Sequence, residues 1–596
     1  MRKSIRNHTR TILIIILSYL SSLSVGHIVS LNGNPAVFYG GTYYGYNITS
    51  ILVFALTAYL LNKLCKIYTR RLLIFSCGLG FLISLLIVYG AYAHLINDIF
   101  IDTPTVFLQF GCSIGLSFLL IPLLAQFFLL WDKCESTFVL NPSKKFSKIP
   151  DWAVFLIYWT VIFLCFLPMF LSHWPGNFIF DAKYQIIDGI RGTHSTHHPL
   201  AHTLLMCWAY NLGLANGNAS WGFQFYTIIQ MIVLSGSFAF CCFYLYQKEV
   251  PRWLQIIAFL WFAIFPVNAL FAITATKDVL FAAFFLFFFI FCIRFFLDHE
   301  ETWYCLLGIC AFGTLAALYR NNALYAILIA FLASIALCKT WKKRGLILTS
   351  LIIIYASSNL INQGLINYAN ATQPDTYRET FPAPLQCLAR VAAYKGDTIT
   401  DELKSEIYLY IPEYRISDYN PYNADPIKEF ANENLLRSNT FNFVKLWAKV
   451  GLKYPDEYLE HLITNTLGYW YPLHQGVYVS TDIALYHTLI EIGPEIEPQN
   501  YCDWANKLYM PFWSLEYRHI PILGYLFRNA PYVWMTILSF FAAWYKKDSS
   551  KVSVLLLPFL YILTCFAGPL AALRYIYCIV IITPLIIYLA LKERGS

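Results

Sequence analysis

Long apolar runs separated by short polar loops dominate this chain. Runs of about 18 residues or more with almost no charge read as membrane-spanning helices. Fourteen are expected, near 11–31, 49–65, 72–94, 106–131, 152–172, 222–246, 253–272, 279–297, 303–319, 322–338, 346–363, 528–545, 552–568 and 576–591. One stretch, 364–527, breaks the pattern. It is polar, rich in Tyr and Pro, and about 160 residues long, enough for one small domain. Within it Asp401 to Tyr410 and Asn432 to Tyr454 carry apolar residues at three- and four-residue spacing, which predicts helices. Alternation with period two is scarce. The expected class is an all-α polytopic membrane protein with about 14 transmembrane helices and one mostly α domain outside the bilayer.

Composition agrees. Of 596 residues, 58% are hydrophobic and 13% charged, where a soluble domain carries about 25% charged residues. The net charge of +8 does not point to nucleic acid, because the basic residues cluster in short loops between spans. Arg2, Lys3, Arg6 and Arg10 precede the first span, and Lys63, Lys66, Arg70 and Arg71 follow the second. Further clusters lie at Lys144 to Lys148, Lys339 to Arg344 and Lys546 to Lys551, while 32–48 and 95–105 hold no Lys or Arg. The positive-inside rule then puts both termini in the cytoplasm and 173–221 and 364–527 outside. The first apolar segment resembles a signal peptide but shows no small-residue cleavage site, so it reads as a retained anchor. Most of the 16 cysteines fall in apolar segments; Cys387 and Cys502 lie in the polar region as a candidate pair.

Ionisable residues that orientation does not explain converge on the outer face, where charge is expensive unless used. Asp181 follows Trp174-Pro175-Gly176 and precedes Lys183 and Gln185. Such a carboxylate suits a general base if burial raises its pKa, or it is simply a helix cap. His197 and His198 precede Pro199, and His202 follows one turn on. They could bind a metal as a pair, grip an anion at a helix start, or pack on aromatics. Lys277-Asp278 opens a span as a possible ion pair. Arg320-Asn321 and Arg574-Tyr575 lie at outer span ends, where a phosphate is the natural partner of the guanidinium and snorkelling is the plainer alternative. Nucleotide-binding and Ser-His-Asp hydrolase signatures are absent from the sequence.

These residues resemble those of a bacterial family of polytopic membrane proteins that is itself similar to the GT-C glycosyltransferases, which take sugars from polyprenyl-phosphate carriers. The matching positions are Trp174-Pro175-Gly176 with Asp181 and Gln185, His197-His198-Pro199 with His202-Thr203, Lys277-Asp278, Arg320-Asn321, Pro382 to Arg390, Asp425 to Lys428, Lys453 to Pro455, Gly468 to Pro472 and Arg574-Tyr575. The resemblance implies a GT-C-like core at 151–363 with a catalytic outer loop at 173–221. It leaves 1–150 as an added four-span unit, 364–527 as the extracytoplasmic domain and 528–596 as a three-span unit. It departs in two respects: the acidic loop follows the fifth span, where many GT-C enzymes have it after the first, and Asp181 is a single acidic residue rather than an acidic pair, which speaks against a metal-bridged mechanism. The implied activity is inverting sugar transfer from a polyprenyl-phosphate donor to a cell-surface glycan, polymer or lipid at the plasma membrane. Asp181 would be the base, and Lys277, Arg320, Arg574 and the histidines would hold the phosphate, with no cofactor beyond an optional divalent metal. Tyr469, Trp470 and Tyr471 would stack on sugar faces, or else sit as surface aromatics at the membrane interface. Rival readings are a flippase for lipid-linked glycans, which needs ionisable groups at mid-membrane depth, and a metal-dependent lipid-phosphate phosphotransferase or hydrolase built on the histidines.

Overall fold

The computed structural model describes residues 2–33, 48–96, 99–137, 149–178, 180–372, 377–474, 498–513, 520 and 523–592. Helices account for nearly all of its regular structure. Among the described residues ten are long and apolar enough to cross a membrane, from His8–Leu31 to Leu573–Leu591. The pair Arg252–Ile264 and Pro266–Ile273, bent by 44° at its break, makes eleven if counted as one span. Pro266 supplies the break, since proline cannot continue the helical hydrogen-bond ladder. Three more apolar helices, Trp303–Tyr319, Asn321–Leu337 and Ala530–Lys546, have 17 residues each. Large apolar side chains such as Ile12, Ile51, Phe107 and Trp152 are exposed along the long helices, as a surface that meets lipid requires. This is a multi-pass membrane protein.

Two compact units divide the chain. The first comprises Met1–Cys134, Tyr377–Gln475 and Ala567–Ala571. Its four apolar helices belong with a helical segment whose core includes Leu385, Ile407, Leu436, Phe443 and Val450. The two helices expected from spacing are there, as Asp401–Tyr408 and, divided at Asn439, Glu433–Ser438 with Thr440–Lys453. Buried Arg390 lies 2.8 Å from Glu457 and 2.7 Å from Glu460, and Glu460 also accepts the Ile99 N–H. Removing one partner of such a buried network costs far more than an exposed pair would. Tyr469, Trp470 and Tyr471 are core residues of this unit, each less than 5% exposed. The Tyr469 hydroxyl donates to the Leu570 carbonyl at 3.1 Å, and Trp470 and Tyr471 close on Gly90. The expectation that these three rings stack on sugars is therefore corrected: their faces are spent on packing.

The second unit comprises Glu135–Thr376, Gly476–Phe566 and Ala572–Ser596. The region 364–527 is thus shared between the units. Helix Lys277–Phe296 is the most buried span of the second unit. Its far end carries an ion cluster in which Asp298 meets Lys248 at 2.6 Å, Tyr244 at 2.8 Å and Lys592. Its near end carries the polar site. Cys387 and Cys502 are both free thiols.

Candidate functional site

The site is assembled by a two-residue parallel β pair inside a helical protein. Strand Asn177–Phe178 pairs with Thr274–Ala275 in the register Asn177↔Thr274 and Phe178↔Ala275. Each strand leads directly into a helix, Phe180–Arg191 and Lys277–Phe296. Parallel pairing therefore sets the two helix starts side by side and brings Asp181 against Lys277. Thr276 caps the second helix by accepting the Asp278 N–H at 3.3 Å. That fixes Lys277 in the first turn, where a cation opposes the helix dipole, while Asp181 in the first turn of its helix is favoured by it. An anion is what the Lys277 position lacks locally, and Asp181 supplies one.

Local chemistry holds the strands in place. Gly176 has φ of +131°, and a Cβ there would come within 2.3 Å of Thr227 Oγ1, so only glycine fits. Thr227 donates to the Pro175 carbonyl at 2.8 Å, and Trp174 Nε1 donates to Gln224 at 2.8 Å. On the other strand, the Gln230 amide nitrogen reaches three carbonyls, of Phe271, Ala272 and Thr274, at 3.1, 3.0 and 2.8 Å. Helices Leu200–Ala215 and Ala219–Gln247 touch backbone to backbone at Gly213 and Gly222, where an added Cβ would lie 2.5 and 2.2 Å from main-chain atoms of the facing helix.

Asp181 Oδ2 is 3.4 Å from Lys277 Nζ and 3.7 Å from Arg574 NH1. Lys277 also lies 3.2 Å from His198 Nδ1. Burial works to raise the Asp181 carboxyl, but Lys277, then Arg574 and His198, outweigh it and hold the group well below the usual carboxylate range. Burial, then the charge of Lys277, pushes His198 down to about 2. A neutral His198 accepts from the Lys277 ammonium through Nδ1, which assigns its proton to Nε2. The raised pKa expected for Asp181 is thus corrected: beside two cations the carboxyl is held down, not pushed up.

The remaining expected residues separate into three groups. Arg320 pairs directly with buried Asp278 and not with Asp181. Its guanidinium lies 4.7 Å from the Tyr575 ring, and the Arg574 guanidinium lies 5.0 Å from the same ring. Arg574 NH2 donates to the Tyr575 hydroxyl at 3.3 Å. Tyr575 therefore orients Arg574, and Asn321 sits exposed at the start of its helix. The expected Lys277–Asp278 pair does not form, since each has a different partner.

His202 turns away from His198. It is fully buried, with Nδ1 3.1 Å from Gln185 Oε1 and Nε2 2.7 Å from the Tyr226 hydroxyl, which donates on to Gln230 at 2.9 Å. Burial first, then Lys277, pushes it down to about 3. His198 and His202 are thus no metal pair, and among the described residues no three His, Cys, Asp or Glu side chains group to hold a metal ion. Gln185 belongs to the same chain of hydrogen bonds and is buried with it. His197 is exposed, with its ring 4.4 Å from that of His198. The Lys183 side chain lies outside the described residues.

Sequence reasoning missed Asn177. It is 1% exposed, and neither atom of its amide has a hydrogen-bond partner among the described residues. A buried polar group without a partner costs about 1–3 kcal/mol, and a ligand contact is one reason to keep it. Its position directly after Gly176 and four residues before Asp181 is the signal that was available. The chain belongs to the family of unknown function DUF6020, matched over residues 191–596. That span includes the histidines, Lys277, Arg320 and Arg574 and begins after Asp181. No curated protein and no solved structure matches the chain.

Proposed function

We propose that this member of DUF6020 is a GT-C-type membrane glycosyltransferase that moves a sugar from a polyprenyl-phosphate carrier to an acceptor hydroxyl outside the cytoplasm. The observation that carries the reading is one carboxylate set against two cations from distant parts of the chain, Asp181 with Lys277 and Arg574. Transfer of this kind needs a base for the acceptor and positive charge for the departing phosphate. Asp181 removes the acceptor proton, the acceptor oxygen bonds to the anomeric carbon, and the bond from that carbon to the phosphate oxygen breaks with inversion. Its electron pair leaves on the carrier phosphate, beside Lys277 and Arg574. The proton passes from Asp181 to solvent. Helix starts at Phe180 and Lys277 add N–H groups that favour the same anion.

The topology proposed with it has fourteen spans, both termini in the cytoplasm and the site outside. Helices of 17 residues are about 26 Å long at 1.5 Å per residue, within the mismatch a bilayer of about 30 Å absorbs. Ionisable groups of the site lie at helix starts and ends rather than mid-span, which favours an enzyme over a flippase. The test is Asp181→Asn in the full chain, assayed with a radiolabelled polyprenyl-phosphate-sugar. Asn keeps the volume but takes no proton, so transfer should stop while melting stays cooperative. Turnover near the wild-type rate would remove Asp181 from the chemistry.

A further inference from the structure

Two ion pairs stand side by side here, and they are built differently. Asp278 grips Arg320 directly and is buried. Asp181 instead meets Lys277 and Arg574 through a single oxygen, at 3.4 and 3.7 Å. A fully made charge-assisted hydrogen bond is about 2.7–2.9 Å long. Lys277 divides its protons between this carboxylate and His198 Nδ1 at 3.2 Å, and Arg574 divides its own between the carboxylate and Tyr575. Neither cation is committed to Asp181. The groups that shift the carboxylate most, Lys277, Arg574 and His198, belong to the proposed phosphate site, and His202 and Tyr575 also feel its charge.

We infer that Asp181 is the resident anion of that site and competes with the donor phosphate for Lys277 and Arg574, so that donor binding itself frees the carboxylate to act as a base. The inference rests on the glycosyltransferase reading and adds a control to it. A phosphate seated on the two cations neutralises what keeps Asp181 acidic and adds a like charge beside it, and both changes raise its proton affinity. Basicity then arises after the donor arrives, which predicts donor first and acceptor second. The low intrinsic basicity of the carboxylate beside its cations ceases to be an obstacle to the mechanism.

The test is calorimetric titration of the full chain in micelles with farnesyl methyl phosphate, a phosphodiester with no titrating proton of its own near neutrality. Removing the competing charge in Asp181→Asn should tighten binding roughly tenfold, equivalent to about 1.4 kcal/mol. At about pH 5, in two buffers of different ionisation enthalpy, wild type should take up protons on binding and Asp181→Asn fewer. Equal affinity and equal uptake in the two proteins would overturn the competition, and the phosphate site would still stand if Lys277→Gln and Arg574→Gln each bind more weakly. Binding unchanged in those two variants would instead remove the phosphate site, and with it the glycosyltransferase reading. Should Asp181→Asn fail to fold, proton uptake by wild type alone decides, and its absence refutes the competition.

Discussion

At the residue scale the site separates a cation paired directly with one carboxylate from two that are shared among several partners. Lys277 and Asp278 are neighbours in sequence, and consecutive residues on a helix point to different sides. One therefore meets Asp181 and the other Arg320. The separation predicts opposite phenotypes. Lys277→Ala and Arg574→Ala should raise the donor KM roughly ten- to hundredfold, as the loss of one charge-assisted contact of about 1.5–3 kcal/mol does, with little change in melting. Arg320→Met leaves Asp278 buried and uncompensated, so it should cost about 3–5 kcal/mol of stability. Donor titrations with melting curves alongside distinguish the two. His202 gives a pH dependence. Its folded pKa of about 3 lies below the ordinary 6.5, so below pH 6.5 the unfolded chain binds a proton that the folded chain refuses. Its contribution to stability is full above about pH 6.5 and falls as pH drops toward 3, by up to about 1.4 kcal/mol per pH unit. Melting measured from pH 7 to 4 should fall less steeply in His202→Gln than in wild type. The convergence of Asp181, Lys277, His198 and Arg574 was legible from their unusual chemistry. The capture of Arg320 by Asp278 was not, because a tertiary partner 42 residues away leaves no local mark.

At the element scale the decisive feature is the smallest. Two strands of two residues carry no period-two signal, so nothing in the pattern of Asn177–Phe178 or Thr274–Ala275 announces that they pair. Helices with long apolar runs, and the amphipathic Asp401–Tyr408 and Thr440–Lys453, were legible for the opposite reason. Helix starts were nearly so: Pro199 directly precedes the helix at Leu200, which leaves His198 outside it and His202 in its first turn. The aromatics Tyr469 to Tyr471 misled because a buried ring and a sugar platform have the same composition. The strand that sets Lys277 hangs on Gln230, whose amide nitrogen serves three carbonyls. Gln230→Leu removes that donor and the acceptor for Tyr226 while keeping the volume. Each buried group left unmade costs about 1–3 kcal/mol, and the pairing that seats Lys277 loosens. Lower melting together with a raised donor KM is expected. Lower melting alone, with donor affinity intact, would show that the β pair does not position the cation.

At the scale of the whole molecule, apolar runs fix which segments are helices and which are long enough to span, but not which parts pack together. Residues 377–475 belong with the first four apolar helices, and 135–376 with the last ones. That grouping depends on long-range contacts such as the Ile99 N–H with Glu460, 361 residues apart in sequence, which no window along the chain contains. The proposed donor also depends on sidedness. A polyprenyl-linked sugar is the donor required outside, where nucleotide sugars are scarce, and the alternation of basic loops is the argument for that side. Asp397 and Ser549 are both exposed, one in the polar helical segment and the other at the start of a span that follows the basic Lys546-Lys547 pair. On a background lacking the exposed native cysteines, Asp397→Cys should react with an impermeant maleimide on intact cells. Ser549→Cys should react only after permeabilisation. Labelling of both on intact cells would overturn the alternation that places Asp181 outside, and with it the argument for a polyprenyl-linked donor.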